Sequence, residues 1–266
     1  MATAPRAYPE LVRGPWHAGT RVAHVHLCAA ALTANVQSRL VGHASDSTAF
    51  PFCNPAILQS CNRMIPVIVL AAGKSTRMGR LKANLPLGAG HTFLTRVVAT
   101  FLDAGVDDVV VVVGHEADAV IAEFVKSGLP ARFVQNRAYE RGQLSSLLAG
   151  LAVVDRPGLA ATLVTLVDVP LVSAATVGAV LRQYERTHAL VVRPTRGDEH
   201  GHPLLVDRSL FHEIRLADPS LGAKPVVRAH ITLDSGVEVD DAGAFADIDT
   251  PEDYEQALTS LGRSAG

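Results

Sequence analysis

From residue 65 onward, short and wholly apolar runs alternate with longer amphipathic stretches. The apolar runs at 66–72, 107–114 and 161–170 predict buried strands, because a strand that is covered on both faces is apolar throughout. The stretch 91–104 has apolar positions three and four residues apart and stops at Gly105, which predicts a helix with a glycine terminator. This alternation indicates an α/β fold with a mostly parallel sheet between two layers of helices.

The same pattern predicts the remaining elements of the body. Helices are expected at 116–128, 142–154 and 173–187, and strands at 131–136 and 189–194. Residues 195–230 are less regular, and they predict a loop, a short strand at 203–206 and two short helices. The last helix is expected after Thr250, which is a good N-cap residue and is followed by Pro251 at the first helical position.

The first 63 residues differ from the rest in pattern and charge. They show no sustained period of 2 or 3.6 and carry five arginines and two acidic residues, whereas residues 64–266 carry 19 basic and 24 acidic groups. We expect residues 1–63 to be a poorly ordered N-terminal extension and residues 64–262 to form the folded domain. A targeting or partner-binding segment and a separate subdomain remain open. The position of Met64 directly before the first strand also suggests that the functional chain starts there.

Composition limits the partners of the whole chain. It has 266 residues, of which 48% are hydrophobic, and no apolar run approaches the roughly 20 residues of a membrane-spanning helix. The net charge of -2 gives no general basic field, so we expect neither a nucleic acid nor a membrane as partner. All three cysteines precede Met64 and offer no credible disulfide framework, which favours a reducing, cytoplasmic location.

The segment LAAGKSTRMGRLK (70–82) contains "GKST" and raises the possibility of an ATP-binding P-loop. The P-loop pattern requires a glycine at position 68, where this chain has Ile68, so the ring of backbone amides cannot form. A second glycine occurs downstream instead, and three cations lie nearby: Lys74, Arg77 and Lys82. Such a loop suits a triphosphate, although a solvated surface turn could also carry these charges.

The ends of two predicted strands bring this loop close to an acidic residue that lies far along the chain. Gly73 follows the first buried strand, and Asp168 comes at the end of the β-branched run 161–170. In open α/β sheets, ligands bind beyond the carboxyl ends of the strands, so Gly73 and Asp168 should face the same crevice. Asp168 could alternatively cap the next helix, but Ser173 is better placed for that role.

Residues 70–88 resemble the signature L-A-A-G-x-S-x-R-M-G-x-x-K-x-x-L-P of the MobA-like nucleotidyltransferases, a family that includes molybdenum cofactor cytidylyltransferases. Further matches follow in the family's order over most of 65–260: NRAYERGQLSSLLAGL, TLVDVPLVS, GHPLLV, LGAKPVVR and DIDTPEDY. The resemblance implies a Rossmann-like three-layer α/β/α domain. It also implies transfer of a nucleotidyl group from an NTP to a phosphorylated acceptor, with release of pyrophosphate.

The resemblance assigns roles to individual residues. It implies that Arg77 and the loop amides hold the β and γ phosphates, that Lys82 contacts the α-phosphate, and that Asp168 binds Mg²⁺. Asp249 is favoured over Asp247 as the second metal ligand, although Asp249 could assist the last helix cap and Asp247 could be a solvated charge. The other nucleotide-binding residues that it implies are Leu70, Ala71, Ala72, Gly73, Lys74, Ser75 and Gly79.

Weaker signals predict which residues contact the base and the acceptor, and which nucleotide is used. Asn136, Gly142, Gln143 and Ser145 are expected to contact the base and ribose, although Ser145 and Ser146 could serve only in packing. By the GHP match, His202 is expected to line the acceptor pocket; with His200 it matches no standard zinc spacing. Family members that use CTP tend to have two alanines where this chain has Ala71 and Ala72, which favours CTP. Val169 replaces the usual glutamine of the cytidylyltransferases, and this leaves the acceptor open.

The implied partners are therefore an NTP, a phosphorylated small molecule such as molybdopterin, and a molybdoenzyme that would receive the product. A noncatalytic role also remains: the chain could bind a nucleotide or cofactor as a chaperone for a partner enzyme.

Overall fold

The structure is a computed structural model that describes residues 11–12 and 64–264. The predicted N-terminal extension and its cysteines lie outside the described residues, except for residues 11–12. The domain boundary predicted at residue 64 therefore stays a prediction.

The described residues contain nine strands and seven α-helices. The strands are β1 (Leu11–Val12), β2 (Val67–Ala71), β3 (Val109–Val113), β4 (Arg132–Gln135), β5 (Ala161–Leu166), β6 (Val191–Arg196), β7 (Glu199–His200), β8 (Leu204–Asp207) and β9 (Gly236–Glu238). The helices are α1 (Phe93–Asp103), α2 (Ala117–Val125), α3 (Gln143–Val154), α4 (Ala174–Thr187), α5 (Phe211–Leu216), α6 (Lys224–Ala229) and α7 (Pro251–Ser264). Short 3₁₀ helices at Lys82–Asn84 and Tyr139–Arg141 flank the site described below.

All nine strands join one mixed sheet in the order β1-β4-β3-β2-β5-β8-β6-β7, with β9 beside β6. The pairs β4-β3, β3-β2 and β2-β5 are parallel, whereas β8 runs antiparallel to both β5 and β6. The chain builds outward from β2 to β4 and then returns to place β5 on the other side of β2. This reversal leaves a crevice beyond the carboxyl ends of β2 and β5, where open α/β sheets bind their ligands.

The central strands are buried on both faces, as their apolar runs predict. Along β2, Val67, Val69 and Ala71 join one core cluster, whereas Ile68 and Leu70 join the other. Helices α1, α2, α4 and α7 contribute to the first cluster, and α3, α5 and α6 contribute to the second. The predicted three-layer architecture is therefore confirmed.

The prediction that the strand of β5 runs to residue 170 is wrong. The strand ends at Leu166, and the chain then turns, with the Val169 amide donating to the Leu166 carbonyl at 3.3 Å. Apolar character continues through the turn because Val169 and Val172 pack with Ala244 in a small third cluster. Asp168 is therefore held in a tight turn just beyond the strand.

Candidate active site

The cleft beyond β2 and β5 encloses a cavity of about 370 Å³. It is bounded by the loop after β2, the turn after β5, the start of α3 and the segment before α7. Its lining residues are Leu70, Ala71, Ala72, Gly73, Ser75, Thr76, Arg77, Leu81, Lys82, Ala83, Val120, Tyr139, Gly142, Gln143, Ser146, Leu166, Val167, Asp168 and Asp249.

The loop after β2 folds back on itself through a turn. Ser75 adopts a left-handed conformation with φ of 50°, and its carbonyl accepts the amides of Met78 and Gly79 at 3.0 and 3.1 Å. The Ser75 hydroxyl then accepts the backbone amide of Lys82 at 3.3 Å. This turn returns the chain to the cleft, so Arg77 and Lys82 both reach the cavity.

Lys82 is the centre of the charged cluster. Its side chain is only 8% exposed, and Nζ donates to Asp168 Oδ2 at 3.3 Å and to Asp249 Oδ1. Arg77 contacts the other oxygen of Asp249 at 2.8 Å. Residues separated by up to 172 positions are therefore brought together in one cleft, as the strand ends predict for Asp168.

Of the two carboxylate oxygens of Asp168, only Oδ2 has a hydrogen-bond partner among the described residues, and that partner is Lys82. The other oxygen, Oδ1, is buried. The next helix, α4, is capped instead by Ser173, whose hydroxyl accepts the Thr176 amide at 3.2 Å. A buried carboxylate oxygen without a partner is costly, which makes Asp168 a candidate ligand-binding residue.

Asp249 is likewise free of the cap of α7. Thr250 Oγ1 accepts the Asp253 amide at 3.2 Å, and the Asp253 carboxylate accepts the Thr250 amide at 2.9 Å. Those two residues cap the helix reciprocally. The hydrogen bond from Lys82, with the charges of Lys82 and Arg77, lowers the pKa of Asp249, so its carboxylate stays ionised in the cleft.

Asp247 lies near the same cluster but does not line the cavity. Burial of its carboxylate, together with the negative charge of Asp168, raises the pKa of Asp247. The direct contacts of Lys82 and Arg77 go to Asp249 and not to Asp247. The geometry therefore favours Asp249 as the second carboxylate of the site.

A magnesium ion fits the donor set of the cleft. Asp168 and Asp249 supply carboxylate oxygens, which are the ligands that Mg²⁺ prefers, and Asp168 Oδ1 has no other partner among the described residues. Within the part of the chain that the structure describes, no group of three or more His, Cys, Asp or Glu side chains could hold a metal alone. Two carboxylates with substrate phosphate oxygens are, however, a common set for Mg²⁺.

The start of α3 forms the end of the cavity that is expected to receive the base. Gly142 and Gln143 line it, together with Ser146 and Tyr139. Tyr139 has no sequence signal that separates it from its neighbours. Its phenol lies 3.3 Å from His115 Nδ1, which holds the ring at the cavity wall.

Asn136 and Ser145 do not line the cavity. The Asn136 amide nitrogen donates to Ser145 Oγ at 2.9 Å and to Ser146 Oγ at 3.0 Å, and its oxygen accepts the Ala138 amide at 2.9 Å. Both ends of the Asn136 amide are thus hydrogen-bonded in shaping the turn before α3. Its contact with the base or ribose stays a prediction.

Lys74 and Gly79 also lie outside the cavity lining. The ammonium of Lys74 pairs with Glu140 at 2.5 Å, and this hydrogen bond and the charge of Glu140 raise the pKa of Lys74. Gly79 has φ of 66° and serves the turn of the loop.

His202 is half-buried beside the cleft rather than in its lining. Burial lowers the pKa of His202, and the nearby charges of Asp247 and Asp168 oppose that shift. Its Nδ1 lies 3.5 Å from the Val164 carbonyl of β5. His200 is exposed in β7, and no zinc cluster forms among the described residues.

A family model described as "MobA-like NTP transferase domain" matches residues 67–234 of this chain. Among curated proteins, nicotine blue oxidoreductase from Paenarthrobacter nicotinovorans is 32% identical over 72% of this chain and 95% of its own length. A probable molybdenum cofactor guanylyltransferase from Natronomonas pharaonis is 28% identical over 73% of this chain and 96% of its own length.

Solved structures resemble the fold over about three quarters of this chain. Rv0371c from Mycobacterium tuberculosis H37Rv superposes with a TM-score of 0.63 and 30% identity, covering 74% of this chain and 98% of that one. A complex of the same protein with manganese has a TM-score of 0.60 and 28% identity, covering 74% of this chain and 99% of that chain.

Proposed function

The chain belongs to the MobA-like NTP transferase family, and we propose that it transfers CMP from CTP to a phosphorylated small-molecule acceptor, releasing pyrophosphate. The observation that supports this proposal most directly is the convergence of Lys82, Arg77, Asp168 and Asp249 in one cleft. Nucleotidyl transfer requires such a cluster because both reactants and the leaving group are anionic.

In the proposed reaction, an acceptor phosphate oxygen attacks the α-phosphorus of the NTP. A new oxygen–phosphorus bond forms, the bond from the α-phosphorus to the bridging oxygen breaks, and the electron pair leaves with pyrophosphate. Lys82 would neutralise charge at the α-phosphate, and Arg77 with the loop amides would hold the β and γ phosphates. Each such group contributes on the order of 3 kcal/mol in a site that excludes water.

Asp168 and Asp249 are the residues that would hold Mg²⁺, which would neutralise further phosphate charge when bound. The unpartnered Oδ1 of Asp168 supports this role. Rv0371c forms a complex with manganese, and this finding on a similar protein supports the proposal that a divalent cation binds here. Lys82 contacts both carboxylates and so holds them close together in the cleft.

The preference for CTP rests on the alanines that follow β2. Ala72 is 4% exposed, and it lines the cavity on the same face of the sheet as Ser146 and Leu70. A methyl group at this position narrows the space for a base, which favours a pyrimidine over a purine. GTP is the direct competitor, because the Natronomonas relative is named a guanylyltransferase.

Molybdopterin is the acceptor that we propose first, and a molybdoenzyme would then receive the product. The name of the Natronomonas relative and the similarity to the cofactor cytidylyltransferases support this choice. We also propose a cytoplasmic location. The structure contributes one observation, that no helix among the described residues is long and apolar enough to span a membrane.

Oxidoreduction is a second candidate, since the chain is 32% identical to nicotine blue oxidoreductase. The charges of the cleft favour nucleotidyl transfer. A lysine between two carboxylates, with an arginine beside it, suits phosphate and metal binding and supplies no evident group for hydride transfer. The noncatalytic alternative, in which the chain binds a nucleotide for a partner enzyme, predicts binding without turnover.

The decisive experiment measures pyrophosphate release with CTP, GTP, ATP or UTP, Mg²⁺, and either molybdopterin or a panel of sugar phosphates. We expect turnover that requires Mg²⁺ and is highest with CTP. Asp168→Asn and Lys82→Met should each reduce the rate at least about 100-fold, because each removes charge from the reacting centre. Asp198→Asn is the matched control, since Asp198 is exposed in the β6–β7 turn.

Circular dichroism of each variant separates lost chemistry from lost fold. Equal rates for the wild type, Asp168→Asn and Lys82→Met would contradict the proposal. Nucleotide binding without pyrophosphate release from any pair would support the noncatalytic role. Oxidation of NADH or NADPH by the wild type, without pyrophosphate release, would support oxidoreduction instead.

A further inference from the structure

Within the part of the chain that the structure describes, three cations on one side of the sheet have no anionic partner. Lys224 and Arg228 lie four residues apart in α6 and therefore share a face of that helix, and Arg193 lies in β6. Among the described residues, none of the three forms an ion pair or a side-chain hydrogen bond. Four other arginines of the domain are paired: Arg132 and Arg156 with Asp108, and Arg208 and Arg215 with Asp155.

Packing brings α6 over the part of the sheet that carries Arg193. Val226 and Val227 of α6 join the same core cluster as Val191 of β6. Arg193 is two residues beyond Val191, so it lies on the same face of the strand. Arg193 is half-buried; this burial and the charge of Arg228 lower its pKa, which agrees with the two guanidinium groups lying close together.

The pairing of strands in the sheet shows where the basic cluster of Arg193, Lys224 and Arg228 lies relative to the cleft. Val192 of β6 pairs with Leu205, and the adjacent Leu204 pairs with Val164 of β5. Leu204 and the cavity-lining Leu166 both pack against the core cluster beneath α6. Arg193 is thus two strands from β5 on the face that continues from the cavity, and two strand spacings are about 10 Å.

We propose that Arg193, Lys224 and Arg228 bind a second anionic group of the acceptor, remote from the phosphate that attacks the nucleotide. This rests on the proposed function. Two guanidinium groups suit the paired oxygens of a phosphate or carboxylate, and a bound anion relieves the repulsion between the like charges. The acceptor class is therefore a small molecule that carries a second anionic group besides the attacking phosphate.

Inorganic phosphate is a suitable probe, used after the nucleotide site is filled with α,β-methylene-CTP and Mg²⁺. Arginine Nε–Hε NMR signals of the full chain are followed during the phosphate titration. We expect saturable shifts of the Arg193 and Arg228 signals. Arg193→Gln and Arg228→Gln should each raise the phosphate Kd at least fivefold, and Lys224→Gln should raise it about threefold, because a lysine makes no bidentate contact.

Arg182→Gln is the matched control, because Arg182 is exposed on α4 away from the cluster, and it should leave the Kd unchanged. Arg228 and Lys224 are exposed, so their variants carry the test even where Arg193→Gln does not fold. Unshifted arginine signals, or an unchanged Kd in the variants, would overturn the inference. If the CTP analogue itself does not bind, the proposed function fails, and the phosphate titration is repeated without it.

Discussion

Lys82 shows how the site combines stability with readiness for an anionic ligand. Its ammonium is almost buried and touches two carboxylates, and the two Asp side chains would repel one another without it. A charge in such a position is tolerated only when it is paired, since removing one partner leaves the others buried and uncompensated. In the proposed reaction, substrate phosphates and Mg²⁺ would replace these contacts with equivalent ones, so binding would leave no charge unpaired.

His202 should make stability depend on pH. Burial lowers the pKa of His202 below its unfolded value of 6.5, so between the two pKa values the unfolded chain binds a proton that the native chain does not. The free energy of unfolding therefore falls as the pH drops below 6.5, by up to about 1.4 kcal/mol per pH unit for one proton. We expect His202→Gln to lose less thermal stability than the wild type between pH 7.5 and 5.5.

The measurement is the melting temperature at both pH values, with His200→Gln as the control because His200 is exposed in β7. The control should follow the wild type. An equal loss in His202→Gln and the wild type would show that another group causes the pH dependence.

At this scale, the sequence identified the charged residues better than the polar ones. Lys82, Asp168 and Asp249 were predictable because a motif and the strand ends place them at one edge of the sheet. Asn136 could not be assigned in the same way. The motif shows only that an amide side chain is present at this position. The structure shows that both ends of the Asn136 side chain are already hydrogen-bonded.

Helix α3 packs closely against strand β2 through Gly150. A Cβ atom on Gly150 of α3 would lie 2.5 Å from Ile68 Cγ2, which is closer than van der Waals contact allows. We expect Gly150→Ala to lower the free energy of unfolding by about 1 kcal/mol. Overpacking of about 1–3 kcal/mol outweighs the gain in helix propensity of about 1 kcal/mol.

Gly178→Ala provides the comparison within α4. Its new methyl would meet only the flexible end of Arg182, at 3.0 Å, so we expect a gain of about 0.5–1 kcal/mol. Urea denaturation measures both changes. If both variants are stabilised alike, α3 can shift away from β2 without cost.

The ion pair of Lys74 and Glu140 joins the loop after β2 to the 3₁₀ helix at 139–141. It holds the Lys74 ammonium outside the cavity lining. We expect Glu140→Gln to release Lys74 toward the triphosphate and lower the Kd for CTP about two- to fivefold, because an exposed pair is weak and its loss frees one more cation for the phosphates.

Isothermal titration of CTP with Mg²⁺ measures this change, and Glu123→Gln is the control, because Glu123 forms a comparable exposed pair with Lys126 at 2.5 Å. Lys74→Gln should raise the Kd. Weaker binding by Glu140→Gln would mean that the ion pair shapes the nucleotide site instead of competing with it.

The positions of helices and strands were predictable where the pattern of apolar residues is long, and they were harder to predict where it is short. The apolar runs located β2, β3 and β5, but the run of β5 continued into the turn because Val169 packs in a separate cluster. The two-residue strand β7 and the three-residue strand β9 carry no periodicity that could be detected, since they are fixed by pairing with β6.

At the scale of the whole molecule, the residues that match the family model lie in the same part of the chain as the described core residues. The family model begins at residue 67, and, among the described residues, the members of both main core clusters all follow Met64. The relatives described above match over nearly all of their own length while covering about three quarters of this chain. We therefore propose that residues 64–264 contain what the reaction requires.

We expect a variant that begins at Met64 to keep its fold and its activity. Its melting temperature should stay within about 4 °C of the full chain, which corresponds to about 1 kcal/mol for a domain of this size, and pyrophosphate release should change less than about twofold. One described contact is lost, because β1 pairs with the edge strand β4.

Removing β1 leaves the backbone groups of β4 open to another chain, so self-association is the expected side effect. Size-exclusion chromatography at several concentrations, compared with the full chain, would detect it. Loss of soluble protein at every concentration would contradict the prediction, because it would show that residues before Met64 stabilise the domain itself. Soluble but inactive protein would instead place part of the site in those residues.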